Sequence, residues 1–324
     1  MNASIVSTTP SAALIGTAVP AETFVLLEVP PPWDKPALLS TGVPESLRQV
    51  IKPLLDLPAR VRVHLIANEQ TPTQTQRRIL IFQQERRLSP HQGHAAFSGR
   101  LSRQYAAWET QVAAPAEMAP ALDSFFNRRS QGESSDLWRR CEQRHLMVCT
   151  HASHNECCGA YGYPFYQAAI AQIQELGLMQ LVQPWQITHI GGHRFAPTLI
   201  DFPQGRYYGN LNEVSLSALL QLQGDVAPLL AAYRGWSALP KPLQILETEL
   251  LHQYGWRWFA ASVTGRILSS DEAQKQHQVE LWFKLPNQTL KRCLADVRHN
   301  QVLDYAVESK RELDTQHWSD RKTG

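Results

Sequence analysis

Residues 148–159 read VCTHASHNECCG, and residues 186–210 read QITHIGGHRFAPTLIDFPQGRYYGN. The apolar text HLMVCTH (145–151) is a strand that ends in Cys149, and WQITHI (185–190) is a strand that ends at His189. Between them Pro164 suits the first position of a helix. Tyr166, Ala169, Ile173 and Leu176 recur at helical spacing, and Gly177 suits its end. TLIDF (198–202) and RYYGNL (206–211) form a hairpin about Pro203-Gln204-Gly205, and SLSALLQL (215–222) is a helix capped by Ser215 or Asn212. The order is strand, helix, strand, strand, strand, helix, which is the thioredoxin type of α/β unit.

Upstream, FVLLEV (24–29) is a buried strand stopped by Pro30, Pro31 and Pro32, with Trp33 capping the core. Pro44 opens a helix with Leu47, Val50, Ile51, Leu54 and Leu55 on one face, and Pro53 is expected to break or kink it. VRVHLIA (61–67) and RRILIFQQ (77–84) are two further strands, so the first unit partly repeats the order of the second. Residues 85–140 are the least regular: 104–127 read as one or two Ala-rich helices, and 127–136 as a solvated linker. The expected organisation is a loose arm over 1–20, an α/β unit over 21–135, a thioredoxin-like unit over 136–225, and a mixed C-terminal extension over 226–324. In that extension a helix starts at Pro242 and ends at Gly255. WRWFAASVTGRI and HQVELWFKL are β-like, DVRHNQVLDYAVE is a short hairpin, and 309–324 are frayed.

The chain has 324 residues and a formal charge of +2, so neither nucleic acid nor an acidic membrane surface is an expected partner. No apolar run approaches the ~20 residues that span a bilayer. The first residues lack the basic and apolar regions of a signal peptide, which predicts a cytoplasmic protein. Five cysteines, an odd and sparse set, do not read as a disulfide framework. Cys141 and Cys293 read as ordinary buried thiols.

Thiolate and imidazole together are ligands of zinc, copper and iron–sulfur centres. The pair Cys149-x8-Cys158 is wider than the Cys-x2–4-Cys of structural zinc knuckles and lets a long loop wrap one iron of a binuclear cluster, with His189 and His193 on the other. Cys157, beside Cys158, is the competing ligand. Gly191 and Gly192 allow the unusual φ of a tight turn between the histidines. Two thiolates bring a ferric pair with two sulfides to a formal charge of about 0, against roughly −2 for four, so electron uptake is easier than in plant-type ferredoxins. A solvent-facing imidazole couples that uptake to a proton. His151 and His154, in the cysteine loop, read first as solvated histidines and second as hydrogen-bond donors behind the ligands. Arg194 reads as a surface residue or a cation beside the reduced centre, and Tyr207 and Tyr208 as hairpin packing. The arginine pairs 77–78, 86–87, 128–129 and 139–140 read as a solvated face.

On the pieces CTHASHNECCGAYG, ITHIGGHRFAPTLIDFPQGRYYGNL, YRGWSALPKPLQILE and IGTAVPAETFVLLEVPPPWDKPAL, roughly residues 15–255, the chain resembles the sucrase/ferredoxin-like family. Members carry a thioredoxin-like [2Fe–2S] module, and one branch holds its cluster by two cysteines and two histidines in this pattern. The resemblance implies the ligands Cys149, Cys158, His189 and His193, and it selects Cys158 over Cys157. It is also similar to thioredoxin-like ferredoxins, which place cysteines where this chain has histidines, and it implies a cis peptide bond at Pro197. The helix lacks a Cys-x-x-Cys start, which counts against dithiol exchange, and no carboxylate pair supports a glycosidase.

The expected function is therefore one-electron transfer, with a separate redox partner protein because no GxGxxG fingerprint is present. Two readings compete with it: a zinc-stabilised structural or interaction domain, and a thiol oxidoreductase using Cys149 with Cys157 or Cys158.

Overall fold

The computed structural model describes residues 14–57, 60–70, 76–84, 101–130, 136–300 and 304–314. A first unit contains β1 (Thr23–Glu28), α1 (Glu45–Leu55), β2 (Val61–Ala67), β3 (Arg77–Gln83), β4 (Ala106–Val112) and α2 (Met118–Ser130). The short β5 (Arg139–Arg140) leads into a second unit of β6 (Arg144–Cys149), α3 (Glu156–Glu175), β7 (Val182–Ile187), β8 (Leu199–Phe202), β9 (Arg206–Tyr208) and α4 (Glu213–Gln221). Then come α5 (Ala227–Ala232), β10 (Tyr233–Trp236), α6 (Lys241–Tyr254) and α7 (Trp256–Phe259). The last elements are β11 (Ser262–Asp271), β12 (Gln276–Lys284), β13 (Lys291–Asn300) and β14 (Asp304–Asp314).

In both units the first strand pairs parallel with the second and antiparallel with the third, and the fourth pairs antiparallel with the third. The two copies meet through β2 and β7, antiparallel at Ile66–Ile187 and Ala67–Gln186. The result is one ten-stranded sheet in the order β10-β9-β8-β6-β7-β2-β1-β3-β4-β5. The repeat expected from the strand order is thus present in the connectivity, with the junction at its centre.

The sheet cannot be flat. Phe82 on β3 and Phe202 on β8 stack with ring centres 4.1 Å apart, and Phe24 on β1 meets Phe202 at 4.9 Å. Five strand spacings separate β3 from β8 in the sheet, about 24 Å along a flat surface. The two halves therefore fold face to face about the β2–β7 junction. An inner core of Phe24, Leu26, Phe82, Met147, Cys149, Trp185, Ile187 and Phe202 fills the space between them. Helices cover the outer faces: α1 and α2 lie over one half, α3 and α4 over the other. Leu47, Ile51 and Leu54 form the buried stripe of α1, which runs through Pro53 and stops two residues later: Pro53 has no N–H to donate to the Gln49 carbonyl, so the helix loses one bond in its last turn.

Residues 106–112 form a strand, where the Ala-rich text suggests helix. β4 pairs with β3 along its whole length, which would otherwise be an open edge, and that pairing overrides local propensity. Of the expected arm, residues 1–13 lie outside the described residues, while Leu14 and Ala18 are buried and Thr17 N–H donates to the Arg234 carbonyl on β10 (3.0 Å). The linker residues 131–135 also lie outside the described residues. At the C-terminus, β11–β14 form a four-stranded meander, and β14 continues through Ser309 to Asp314, beyond the expected frayed point. Trp256–Phe259 is helical rather than β-like. Among the described residues no helix is long and apolar enough to cross a membrane.

The extension is tied to the second unit by a buried ion pair. Arg206 on β9 and Glu247 on α6 are 1% and 0% exposed and lie 2.7 Å apart. Tyr233 Oη–H and Trp258 Nε1–H also donate to that carboxylate, at 2.9 and 2.6 Å. Glu247→Ala would leave a buried guanidinium unpaired, and is expected to cost about 3–5 kcal/mol, read from urea denaturation. A loss under about 1 kcal/mol would show that the pair does not hold the two parts together.

Candidate metal centre

Cys149 is the last residue of β6, with its N–H donated to the Thr198 carbonyl (3.0 Å). Strand alternation sends Leu146 and Val148 toward α3 and sends Met147 and Cys149 into the inner core. The following loop turns into α3 at Asn155, whose Oδ1 accepts the Cys157 N–H at 3.0 Å. Cys158 therefore sits in the first turn, 1% exposed. A Cβ on Gly162 would lie 1.9 Å from the Cys149 carbonyl oxygen, so only glycine lets this helix approach the strand end that carries the first cysteine.

His189 follows β7. Thr188 Oγ1 accepts the Leu65 N–H from β2 (3.1 Å), and the His189 N–H donates to His151 Nδ1 (3.2 Å). With Nδ1 accepting, His151 carries its proton on Nε2 and donates to the Asp34 carbonyl at 3.0 Å. His151 is 2% exposed and its ring meets Trp33 edge-on at 5.9 Å. It is thus a buried strut between the first unit and the candidate ligand, not a solvated loop residue. Burial, then the charge of Arg62, pushes the neighbouring His64 down to about 3, so it stays neutral. Gly191 and Gly192 take φ of 85° and 76°, as the turn requires, and His193 opens a short 3-10 turn with its side chain exposed.

Donor atoms of Cys149, Cys158 and His189 lie within 4.8 Å of one another, and Cys158 Sγ is 3.6 Å from His189 Nδ1. His193 stands at the rim, its ring centre 5.9 Å from that of His189. His154 stacks on His189 at 3.8 Å and 14°. Cys157, half-buried, is outside the three-donor group. The Cys158 S–H donates to Cys149, which is held well below the usual thiol range by that bond and by one from His189, against the opposing effect of burial, while Cys158 is pushed up. Two buried, convergent sulfurs with an imidazole beside them are the donor set a soft or borderline metal centre takes, so these residues fit such a group.

Four of the five groups raised by the sequence converge: Cys149, Cys158, His189 and, at the rim, His193. Two features take their roles from residues distant in sequence. His151 gains its role from Asp34, 117 residues away. Arg234 on β10, 1% exposed, donates to the Gly191 carbonyl (3.0 Å) and packs on Gly192, where a Cβ would meet its guanidinium at 2.6 Å. Arg194, the cation nearest in sequence, is exposed. Arg78 is not a solvated arginine: it donates to Gln183 Oε1 at 2.7 Å and lies over Trp185. The side chains of residues 86–87 and 128–129 lie outside the described residues. Tyr207 and Tyr208 are fully buried, and the Ala196–Pro197 bond is cis.

The sucrase/ferredoxin-like family model matches residues 14–235. No curated protein matches the chain. Among solved structures it is similar to a thioredoxin-like [2Fe–2S] ferredoxin from Aquifex aeolicus, at 17% identity over 31% of this chain and 97% of that one, with a TM-score of 0.26. A second structure of that Aquifex aeolicus ferredoxin, as wild type, matches at 18% identity over 25% of this chain and 84% of that one, with a TM-score of 0.22.

Gly162→Ala is expected to cost about 3 kcal/mol, the upper end for overpacking a core. Gly177→Ala, whose Cβ meets nothing within 4 Å but sits at φ 67°, should cost about 1 kcal/mol. Equal losses in chemical denaturation would contradict the close approach of α3 to Cys149.

Proposed function

This chain belongs to the sucrase/ferredoxin-like family, and we propose that it is a one-electron carrier whose Cys149, Cys158, His189 and His193 hold a [2Fe–2S] cluster. The observation that carries the reading is the convergence of two buried sulfurs and one imidazole within 4.8 Å, with a second imidazole at the rim. When bound, such a cluster supplies a site that takes up and returns one electron. Cys149 and Cys158 would anchor it on the buried side, and the histidines on the side that reaches water. Two neutral imidazoles in place of two thiolates leave less negative charge to work against, so electron uptake is easier. The exposed His193 can take a proton from solvent as negative charge arrives nearby. The electron donor and acceptor would be separate proteins, and the cytoplasm is the expected setting.

A single zinc ion suits the same three donors, and it is the reading the test must separate. Thiol exchange is less well supported: both sulfurs are 1% exposed, and an attacking thiolate needs access to its disulfide.

The first test is the visible spectrum of anaerobically purified protein with iron, sulfide and zinc assayed on one sample. Charge-transfer bands with about two iron and two sulfide per chain are expected. A colourless protein holding zinc after cluster reconstitution would sink the reading. His193→Cys should keep a cluster and lower its potential, whereas an unchanged potential removes His193 from the ligand set. Cys157→Ser should leave the cluster in place, and loss of cluster would mean that Cys157 is the ligand. The potential should fall as pH rises, because the reduced state binds the proton more tightly; a flat profile would exclude coupling to an imidazole.

A further inference from the structure

Among the described residues two arginines are fully buried, Arg206 and Arg234. Arg206 has Glu247 as its counter-charge. Arg234 has no carboxylate partner among the described residues. Its Nε–H donates to Thr17 Oγ1 (3.0 Å), and its two terminal nitrogens donate to the carbonyls of Gly191 (3.0 Å) and Thr17 (2.9 Å). The Phe195 and Tyr207 rings flank it at 5.7 and 5.4 Å. Three neutral acceptors satisfy its hydrogen bonds but not its charge. A neutral amide can clamp a glycine turn, and burying an unbalanced cation costs several kcal/mol. Burial does pull its pKa down, to about 10, with Arg194 adding to that effect and Tyr207, then Cys149, opposing it, which leaves it charged at neutral pH.

We propose that Arg234 is the charge-compensating residue of the metal centre: a fixed buried cation, braced on Thr17 and on the Gly191–Gly192 turn, whose positive charge offsets the electron the centre takes up. This rests on the cluster reading above. Arg194, also near the turn, is exposed and screened by water, so it contributes little to the same field. The burial of Arg234 preserves its effect, and its planar fork is held by three bonds, so it does not reorganise when the electron arrives.

The test compares Arg234→Gln, which keeps donors without charge, Thr17→Asp, which supplies the missing carboxylate with Arg234 in place, and Arg234→Lys, which keeps the charge. The visible spectrum reports loading, and spectroelectrochemical titration at fixed pH reports the potential. Arg234→Gln and Thr17→Asp should each weaken electron uptake roughly tenfold, a shift of about 59 mV to the negative for one electron. Arg234→Lys should stay within about threefold of the wild type. If the wild type loads and both neutralised forms stay within about twofold of it, the proposal is overturned. Loading in Arg234→Lys alone supports it, whereas failure of all three to load makes Arg234 a structural clamp and overturns it. If the wild type holds no cluster, the cluster reading itself falls, and that outcome is visible before any variant is made.

Discussion

Leu65 on β2 commits both of its main-chain groups to Thr188. Its N–H donates to Thr188 Oγ1 at 3.1 Å, and its carbonyl accepts the Thr188 N–H at 2.9 Å. Together with two residue pairs between β2 and β7, these bonds join two α/β units that would each otherwise expose a strand edge. The junction is short, so the halves turn about it and close face to face on the phenylalanine core. His189 is the next residue after Thr188. The segment that bears half of the candidate ligands is therefore positioned by the same bonds that unite the two units. Trp33 and Asp34 of the first unit then reach across to His151, which completes the wall on that side.

The interior holds charge in two different ways. The Arg206–Glu247 pair, with Tyr233 and Trp258 attached, is balanced in charge, although the buried Arg206 Nε makes no hydrogen bond. The same charge balance holds for Arg144 and Asp201, joined by two bonds of 2.8 Å between β6 and β8. Arg234 is open, with hydrogen bonds satisfied and charge left over. Low-dielectric surroundings strengthen whatever field it casts, and the surface it faces is the glycine turn between two candidate ligands.

The candidate donors were legible in the sequence as residue types in local patterns: a strand that ends in a cysteine, a second cysteine nine residues on, and a glycine pair between two histidines. The second unit's strand order was legible for the same reason, since period-two and helical spacing survive in short windows. The start of the helix between the first two strands of that unit was not: Pro164 suits a first helical position, but α3 begins at Glu156, capped by Asn155, and runs through Pro164, so Cys158 is helical rather than in a loop. The other features that were not legible depend on distant partners. Residues 106–112 are Ala-rich and become a strand only because β3 offers an edge. His151 looks like any loop histidine until Asp34 and the backbone of His189 meet its two nitrogens. Nothing in YRGW marks Arg234 as buried, because the residues that bury it come from both ends of the family-matched segment.

Thr17 and Arg234 are 217 positions apart. On a ribosome adding about 5–20 residues per second, the second arrives on the order of ten to forty seconds after the first. Cys149, Cys158, His189 and His193 are all made in the interval. The turn that separates the histidines has its glycines from the start, but the guanidinium that braces it arrives with β10, after every candidate ligand has left the peptidyl-transferase centre. The order of synthesis thus leaves a window in which the pocket has its candidate ligands and lacks its brace, and it is the arrival of β10, rather than the making of the ligands, that tightens it.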